Sequence, residues 1–453
     1  MSGDPNAEYL SDGISDSIIN SLSRLPALKV MSLNSVLRYK GKQIDSQAVG
    51  RELNVRAILI GRLTQHGDDV SISTELVDAQ DNRRLWGEQY NRKLSDILVV
   101  QTQIAQQISE NLRLRLSAQD KKQLARHYTE NTEAYRLYSL GSYSSRGEAG
   151  GTKERLEKSI GYFEQAIKID PNYALAYVGL AEAYHVLGFR GFWIPKEAWQ
   201  KAEWAALKAV ELDDTLAEAH AALGGEKLHR DWTGAEKEFK RALELDPNSV
   251  EVNRSYAVYL VYSARPGEAL VYAKRVEELD SRNSSGPRPA NLPYMYFLAR
   301  KYDTAIEGYL KALEKNPNNA HFHFFLGEAY VAKGRYQEGV TEMQKAVALD
   351  NAPERWDRYP VLAYAYAVAG KRDEALKILN EQKQQAKQRY ISPYNFAIIY
   401  TGLGDKDRAF EYLNRAYDED VYVMNQFPGR PMFDSLRSDP RYKDLLRRMN
   451  RAP

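Results

Sequence analysis

Two spacings of apolar residues divide this chain. In the first part, Ile14, Ile18, Leu22 and Leu25 recur at helical spacing, and Pro26 stops the run. Residues 28–31 (Leu-Lys-Val-Met) read as a short strand and 47–53 as a short helix. Residues 56–64, 70–77 and 84–90 read as three strands, with turns at 66–69 and 78–82. Ser95 and Asp96 then precede a helix that carries Ile97, Val100, Ile104, Ile108 and Leu112 on one face, and they are expected to cap it. The order helix, strand, helix, three-strand meander, helix predicts a small α+β domain with a mainly antiparallel sheet over residues 1–118.

Beyond a charged stretch at 119–130, which reads as a linker or bridging helix, the pattern changes to paired helices. Asp170-Pro171-Asn172, Asp246-Pro247-Asn248 and Asn316-Pro317-Asn318 each follow an amphipathic stretch that ends in an Ala-rich turn. Their spacing is close to two repeats of about 34 residues. Between them a fixed series recurs: a Leu-Gly or Leu-Ala pair, Tyr, Gly, Ala, an aromatic residue, Ala. Leu223-Gly224, Ala235, Phe239, Ala242 and Pro247 form one instance. Leu326-Gly327, Tyr330, Gly334, Met343 and Ala346 form another. Eight segments fall in this register across residues 131–437, and the series resembles the tetratricopeptide repeat. The small residues are expected to let the helices of a hairpin touch, with Gly327 and Ala346 buried at such a contact. The glycines at 188, 334, 370 and 404 are expected at inter-helix turns in a left-handed conformation. Pro287, Pro289 and Pro293 predict a shortened first helix or a hinge in the fifth repeat. Phe427-Pro428-Gly429-Arg430-Pro431 reads as the end of the array, and residues 438–453 as a capping helix.

A wider resemblance covers nearly the whole chain. GDPNAEYLSDGISDSIINSLSRLPALKV, RYKGKQIDSQAVGRELNVRAILIGRL and ELVDAQDNRRLWGEQYNRKLSDILVVQTQIA are similar to the TolB/FlgO-like amino-terminal domain that precedes such repeats in many bacterial proteins. YFEQAIKIDPNYALAYVGLAEAY, WTGAEKEFKRALELDPN and FDSLRSDPRYKDLLRRMN continue the match. The resemblance implies the sensory or docking part of a bacterial regulatory system. In that family a winged-helix, serine/threonine kinase or nucleotide cyclase domain lies upstream, so a regulatory fragment of such a protein is the alternative expectation. Relatives begin with an apolar strand just before the Ser2-Gly3-Asp4-Pro5 segment. The implied expectation is either a start that lies upstream or a sheet without its first strand.

The repeat resemblance implies a predominantly α chain with an all-α solenoid, a right-handed superhelix whose first helices line a concave groove. Such a groove accepts an extended peptide or a partner helix. Repeat geometry places Arg254, Val258, Phe324, Glu328, Tyr364 and Tyr394 on that face. An insertion at 189–196 adds Phe192 and Trp193, which either fold back on neighbouring helices or form an aromatic lip for a ligand.

Composition narrows the chemistry. Lys and Arg number 63 against 61 Asp and Glu, so no strong field points to nucleic acid or an anionic membrane. With no cysteine there is no thiol catalysis, thiolate zinc site or disulfide. The seven histidines form no His-Glu-x-x-His motif, and His321 and His323 diverge around a helix. Residues 147–151 (GEAGG) lack the Lys-Ser/Thr of a phosphate loop and read as an inter-helix loop. Tyr39-Lys40-Gly41-Lys42 reads as a solvated basic turn, and Asp68-Asp69 and Asp213-Asp214 as turn and cap acids. No nucleophile elbow occurs. The expectation is a non-enzymatic scaffold for a protein or peptide partner, with no cofactor and no metal. No apolar stretch has signal-peptide or membrane-span length, so the chain as written reads as cytoplasmic, and as periplasmic if its start lies upstream.

Overall fold

The computed structural model describes residues 5–25, 27–114, 116–145, 152–228, 230–263, 265–280, 292–349, 358–419 and 422–449. The amino-terminal part contains α1 (Pro5–Ser23), α2 (Leu33–Val36), α3 (Ser46–Leu53), β1 (Ala57–His66), β2 (Asp69–Asp78), β3 (Arg84–Lys93), α4 (Ile97–Asn111) and α5 (Ala118–Leu124). The strands form an antiparallel meander in the order β1-β2-β3, with Leu59 opposite Leu76 and Ile72 opposite Tyr90. Alternation along β2 buries Val70, Ile72, Thr74 and Leu76. Val70, Ile72 and Tyr90 share one core with Ile14, Ile18 and Leu22 of α1 and with Ile97, Ile104 and Ile108 of α4.

Two local expectations are corrected. Residues 28–31 are not a strand, because their backbone finds partners outside the sheet. The Leu28 carbonyl accepts from the Asn248 side chain at 3.3 Å, and the next residue but three, Ser32, donates its N–H to the Leu279 carbonyl at 2.9 Å. Asp96 makes no side-chain cap on α4. A 3-10 turn, Leu94–Asp96, leads into that helix, and the Asp96 carboxylate accepts from Ser95 instead. Within the stretch expected as linker, α5 is a true helix, closed by a reciprocal capping box between Ser117 and Asp120.

Eight helical hairpins follow. Their helices are Thr132–Ser145 and Lys153–Ile169, Ala174–Phe189 and Pro195–Leu212, Ala217–Lys227 and Trp232–Leu245, Val250–Tyr262 and Pro266–Leu279, Leu292–Leu298 and Tyr302–Lys315, Ala320–Ala332 and Tyr336–Leu349, Arg358–Val368 and Arg372–Gln385, and Pro393–Gly402 and Lys406–Asp418. Among the described residues no strand lies beyond Lys93. The second helices of hairpins one, three and five end at a residue that precedes a proline. The proline after Asp170, Asp246 and Asn316 disfavours helical backbone at each of these positions. Their φ angles are −128°, −142° and −142°.

Glycine is required where the hairpins turn. Gly191, Gly334, Gly370 and Gly404 have φ of 68°, 84°, 80° and 77°. In the second hairpin the turn residue is Gly191. Gly188 lies inside the helix, where a Cβ would meet the Ala198 Cβ at 2.8 Å. In the fifth hairpin the same turn position holds Arg300, with φ 61°. Its successor Lys301 closes the turn onto the Tyr296 carbonyl at 2.8 Å, as Arg335 does onto Tyr330 in the sixth. A non-glycine residue there costs about 1 kcal/mol or more. The first helix of this hairpin is indeed short, at 7 residues, with Pro293 in its first turn. Pro287 and Pro289 lie outside the described residues, as does the 147–151 loop.

After the eighth hairpin come two 3-10 turns, Tyr422–Gln426 and Pro431–Leu436, and a last helix, Pro440–Arg448. Tyr442, Leu445 and Leu446 of that helix join the core of Phe410 and Leu413.

A candidate polypeptide-docking face on the first helices

The array is already in contact with the chain's own polypeptide at both ends, through the turns that close second helices at one end and the first helices at the other. At one end the amino-terminal domain follows a series of acidic residues that end successive second helices. Thr129 Oγ1 donates to Asp170 at 2.6 Å, after the first hairpin. Arg126 pairs with Asp213, after the second. Ser23 Oγ donates to Asp246 at 3.0 Å, after the third, and Ser35 Oγ to Asp280 at 3.1 Å, after the fourth. Arg24 adds an ion pair to Glu218 at 3.3 Å. Asn248 completes the contact by donating to the carbonyls of Ser23 and Leu28.

Burial without a full counter-charge pushes Asp246 up to about 6, with Glu218 adding to the rise and Arg24 and Ser23 opposing it. The native state therefore holds this proton in a range where the unfolded chain has lost it. That contribution to stability is complete below about pH 4 and disappears as pH rises through about 6. An Asp246→Asn chain keeps the acceptor for the Asn248 N–H and gains a donor toward Ser23 Oγ. It is expected to gain on the wild type by about 2–3 kcal/mol between pH 4 and pH 8. Urea midpoints of both chains across that range check this; a constant difference between them contradicts it.

At the other end, residues 424–436 lie across the first helices of hairpins four, five, six and eight. Arg430 forms a close ion pair with Glu328, and both are buried. Phe433 packs on Tyr394 with ring centroids 5.5 Å apart. A Cβ on Gly429 would stand 3.5 Å from the Val261 carbonyl. Arg300, in its left-handed turn, donates to the Gly429 carbonyl at 2.7 Å and pairs with Asp434 at 3.1 Å. Phe427, Met432, Phe433 and Leu436 are all buried. Burial raises Glu328, and Arg430 opposes that rise. Around the pair, the Glu328 Oε2, Arg430 Nε, Tyr309 hydroxyl and Tyr394 hydroxyl have no hydrogen-bond partner among the described residues.

The residues singled out from repeat geometry thus differ in accessibility. Glu328 and Tyr394 are covered by the carboxy-terminal segment. Arg254 is covered next to α2, paired with Glu251 and, at 3.3 Å, with the same Asp280 that Ser35 contacts. Phe324 is in the core with Val331, Val361 and Tyr394. Val258 and Tyr364 are half-buried, and burial pushes the Tyr364 phenol up to about 12. Phe192 and Trp193 are half-buried as well and fold back onto the second hairpin. The Trp193 ring lies 5.5 Å from Tyr184, and its Nε1 donates to Glu157 at 3.0 Å.

Two of the histidines tie helices together. His220 and His323 each bridge from a first helix to the preceding turn carbonyl (Asp214 at 2.9 Å, Pro317 at 2.8 Å). Each also contacts a second-helix glutamate, Glu238 or Glu342. Among the described residues no group of three or more His, Asp or Glu is arranged to hold a metal, and no helix is long and apolar enough to cross a membrane. Lys40 of the basic turn is tied to Asp12 at 2.7 Å.

Comparison with known proteins bears on the hairpins. A tetratricopeptide repeat model matches residues 140–173, 320–353 and 394–420, and a second TPR repeat model matches 294–334. The chain is 37% identical over 137 residues to putative adenylate cyclase 3 of Rhizobium meliloti, covering 30% of this chain and 23% of that protein. It is 26% identical over 149 residues to a TPR repeat-containing protein of Methanocaldococcus jannaschii, covering 32% and 26%. The chain therefore spans about a quarter of the length of these curated relatives. YrrB, described as a TPR protein with an unusual peptide-binding site, aligns over 42% of this chain and 93% of its own, at 20% identity and a TM-score of 0.30. Hairpins one, five, six and eight of this chain are tetratricopeptide repeats, units that build scaffolds for protein–protein interaction.

Proposed function

We propose that this chain is a non-enzymatic docking scaffold that holds an extended polypeptide of a partner against the first helices of its array, as the sensory or docking part of a bacterial regulatory system. The observation that carries this reading is that the same face already lodges the chain's own polypeptide, residues 424–436, while Arg24 of the amino-terminal part pairs with Glu218 on the first helix of the third hairpin. A face built from first helices forms the concave side of a stacked array, and extended ligands settle there. Val258 and Tyr364 are the positions from the repeat register that remain partly open. Phe192 and Trp193 are a less favoured contact, since they pack back on the first and second hairpins.

A photo-crosslinking residue at Val258 or Tyr364 tests this. Both are expected to trap protein partners. Val271, 65% exposed on a second helix of the fourth hairpin, is expected to trap none. Equal trapping at Val271, or none at either first-helix position, contradicts the proposal. The cyclase match favours a second reading, in which these residues are the regulatory part of a longer signalling protein. The genomic reading frame upstream of Met1 separates the two.

A further inference from the structure

We propose that the first-helix face of hairpins four to eight recognises an arginine-bearing segment of a partner protein, and that residues 425–436 fill this site as an internal stand-in which the partner displaces. This rests on the docking-scaffold reading above and adds the chemistry of the ligand.

Four observations support it. First, the occupant is a segment folded into two 3-10 turns around Arg430, whose own backbone is extended, with that arginine as its buried cation. Glu328 is the carboxylate that receives it, at the centre of a first helix. Second, an aromatic wall beside Glu328 takes the apolar residue three places after the arginine, as Tyr394 takes Phe433. Third, the seat is incompletely satisfied. Among the described residues the fully buried Tyr309 hydroxyl, the Tyr394 hydroxyl and one oxygen of Glu328 have no hydrogen-bond partner, nor has the Nε of Arg430, so the seat offers polar contacts that its present occupant leaves unused. A guanidinium with five donors in a planar fork suits a carboxylate flanked by phenols better than an ammonium does. Fourth, the clasp over the segment is a strained one. Arg300 adopts a left-handed turn conformation that the neighbouring hairpins give to glycine, and its guanidinium holds the Gly429 carbonyl and Asp434. The cover is thus made by a side chain outside the pocket, and it can open without rearranging the pocket.

The experiment uses the full chain and a fluorescein-labelled peptide with the sequence of residues 425–437, NQFPGRPMFDSLR. Anisotropy titration is expected to show weak binding to the wild type, because the internal segment competes for the site. Binding should tighten about tenfold or more when Arg430→Ala and Phe433→Ala weaken that segment. The same peptide with glutamine in place of its first arginine should lose most of this affinity. Arg430→Ala leaves Glu328 without its counter-ion, so a milder variant is run in parallel. Arg300→Gly relieves the turn and removes only the clasp, and it should also tighten binding. In the wild type, hydrogen exchange at 425–436 should be faster than in the eighth hairpin and faster still with excess peptide.

Absence of binding by a folded Arg300→Gly chain overturns the proposal. So does binding indifferent to the arginine, or exchange of 425–436 only together with the hairpin core. Concentration-dependent dimers of the loosened chains in light scattering would assign the site to a second copy and overturn the partner reading. If the peptide fails but crosslinks from Val258 and Tyr364 persist, the arginine chemistry falls and the scaffold stands. If both fail, the scaffold falls as well.

Discussion

Glu328→Ala is expected to destabilise the chain by about 3–5 kcal/mol, because it leaves Arg430 charged, buried and unpaired. The expected loss is larger than for any exposed pair of the array, such as Lys311–Glu307, where solvent screening leaves little to lose. The paired replacement Glu328→Leu, Arg430→Met is expected to be near neutral, because it removes both charges and the orphaned polar atoms they carry. Urea unfolding of the three chains, with m-values compared to confirm that the same surface is exposed, checks both halves. A cost under about 1 kcal/mol for Glu328→Ala would place Arg430 in solvent and remove the contact on which the carboxy-terminal seat depends.

Gly327→Leu should cost about 3 kcal/mol, at the upper end of what overpacking does. A Cβ at this position meets the Met343 Cγ at 2.6 Å and the Gly339 carbonyl oxygen at 2.8 Å. Methionine can move aside, but the carbonyl is backbone in the facing helix and cannot move without separating the hairpin. Gly339 is subject to the same restriction, with Val331 Cγ2 at 2.5 Å. An unchanged urea midpoint would mean that the two helices of the sixth hairpin do not touch at Gly327.

These two residues also mark how far the sequence could be read. The close approach at Gly327 and the burial of Ala346 were legible because both lie within one hairpin, where small residues at fixed spacing report how closely two helices pack. The turn glycines at 334, 370 and 404 were legible for a similar local reason, as were the three strands. The register also placed Glu328 and Tyr394 on the first-helix face. It could not tell what covers them, since Arg430 is far along the chain and no periodicity links it to Glu328. The same holds for Ser23 with Asp246 and Ser35 with Asp280, pairs that join the amino-terminal domain to the array. Residues 28–31 were misread for this reason. Alternation of apolar residues signals an extended backbone, but not whether the partner is a strand or the end of a helical hairpin. One signal was available. Phe427, Met432 and Phe433 crowd a stretch rich in proline and glycine that cannot be a long helix. A non-helical segment so apolar must bury those side chains against something, and the uncovered face of the last hairpins was the surface at hand.

The absence of native cysteine makes the central claim directly measurable. That claim is that the first-helix face is a polypeptide seat, held at one end by the chain's own residues 424–436. Val261 on the fourth hairpin and Gly429 in that segment lie close enough for a pair of introduced cysteines to reach each other. In a Val261→Cys, Gly429→Cys chain, mild oxidation should form an intramolecular disulfide that fixes the segment in place and suppresses crosslinking of partners from Tyr364, with full recovery on reduction. A Val271→Cys, Gly429→Cys control should not close. Failure of the first pair to close above the control, or partner crosslinking that is indifferent to the closed disulfide, would contradict the account.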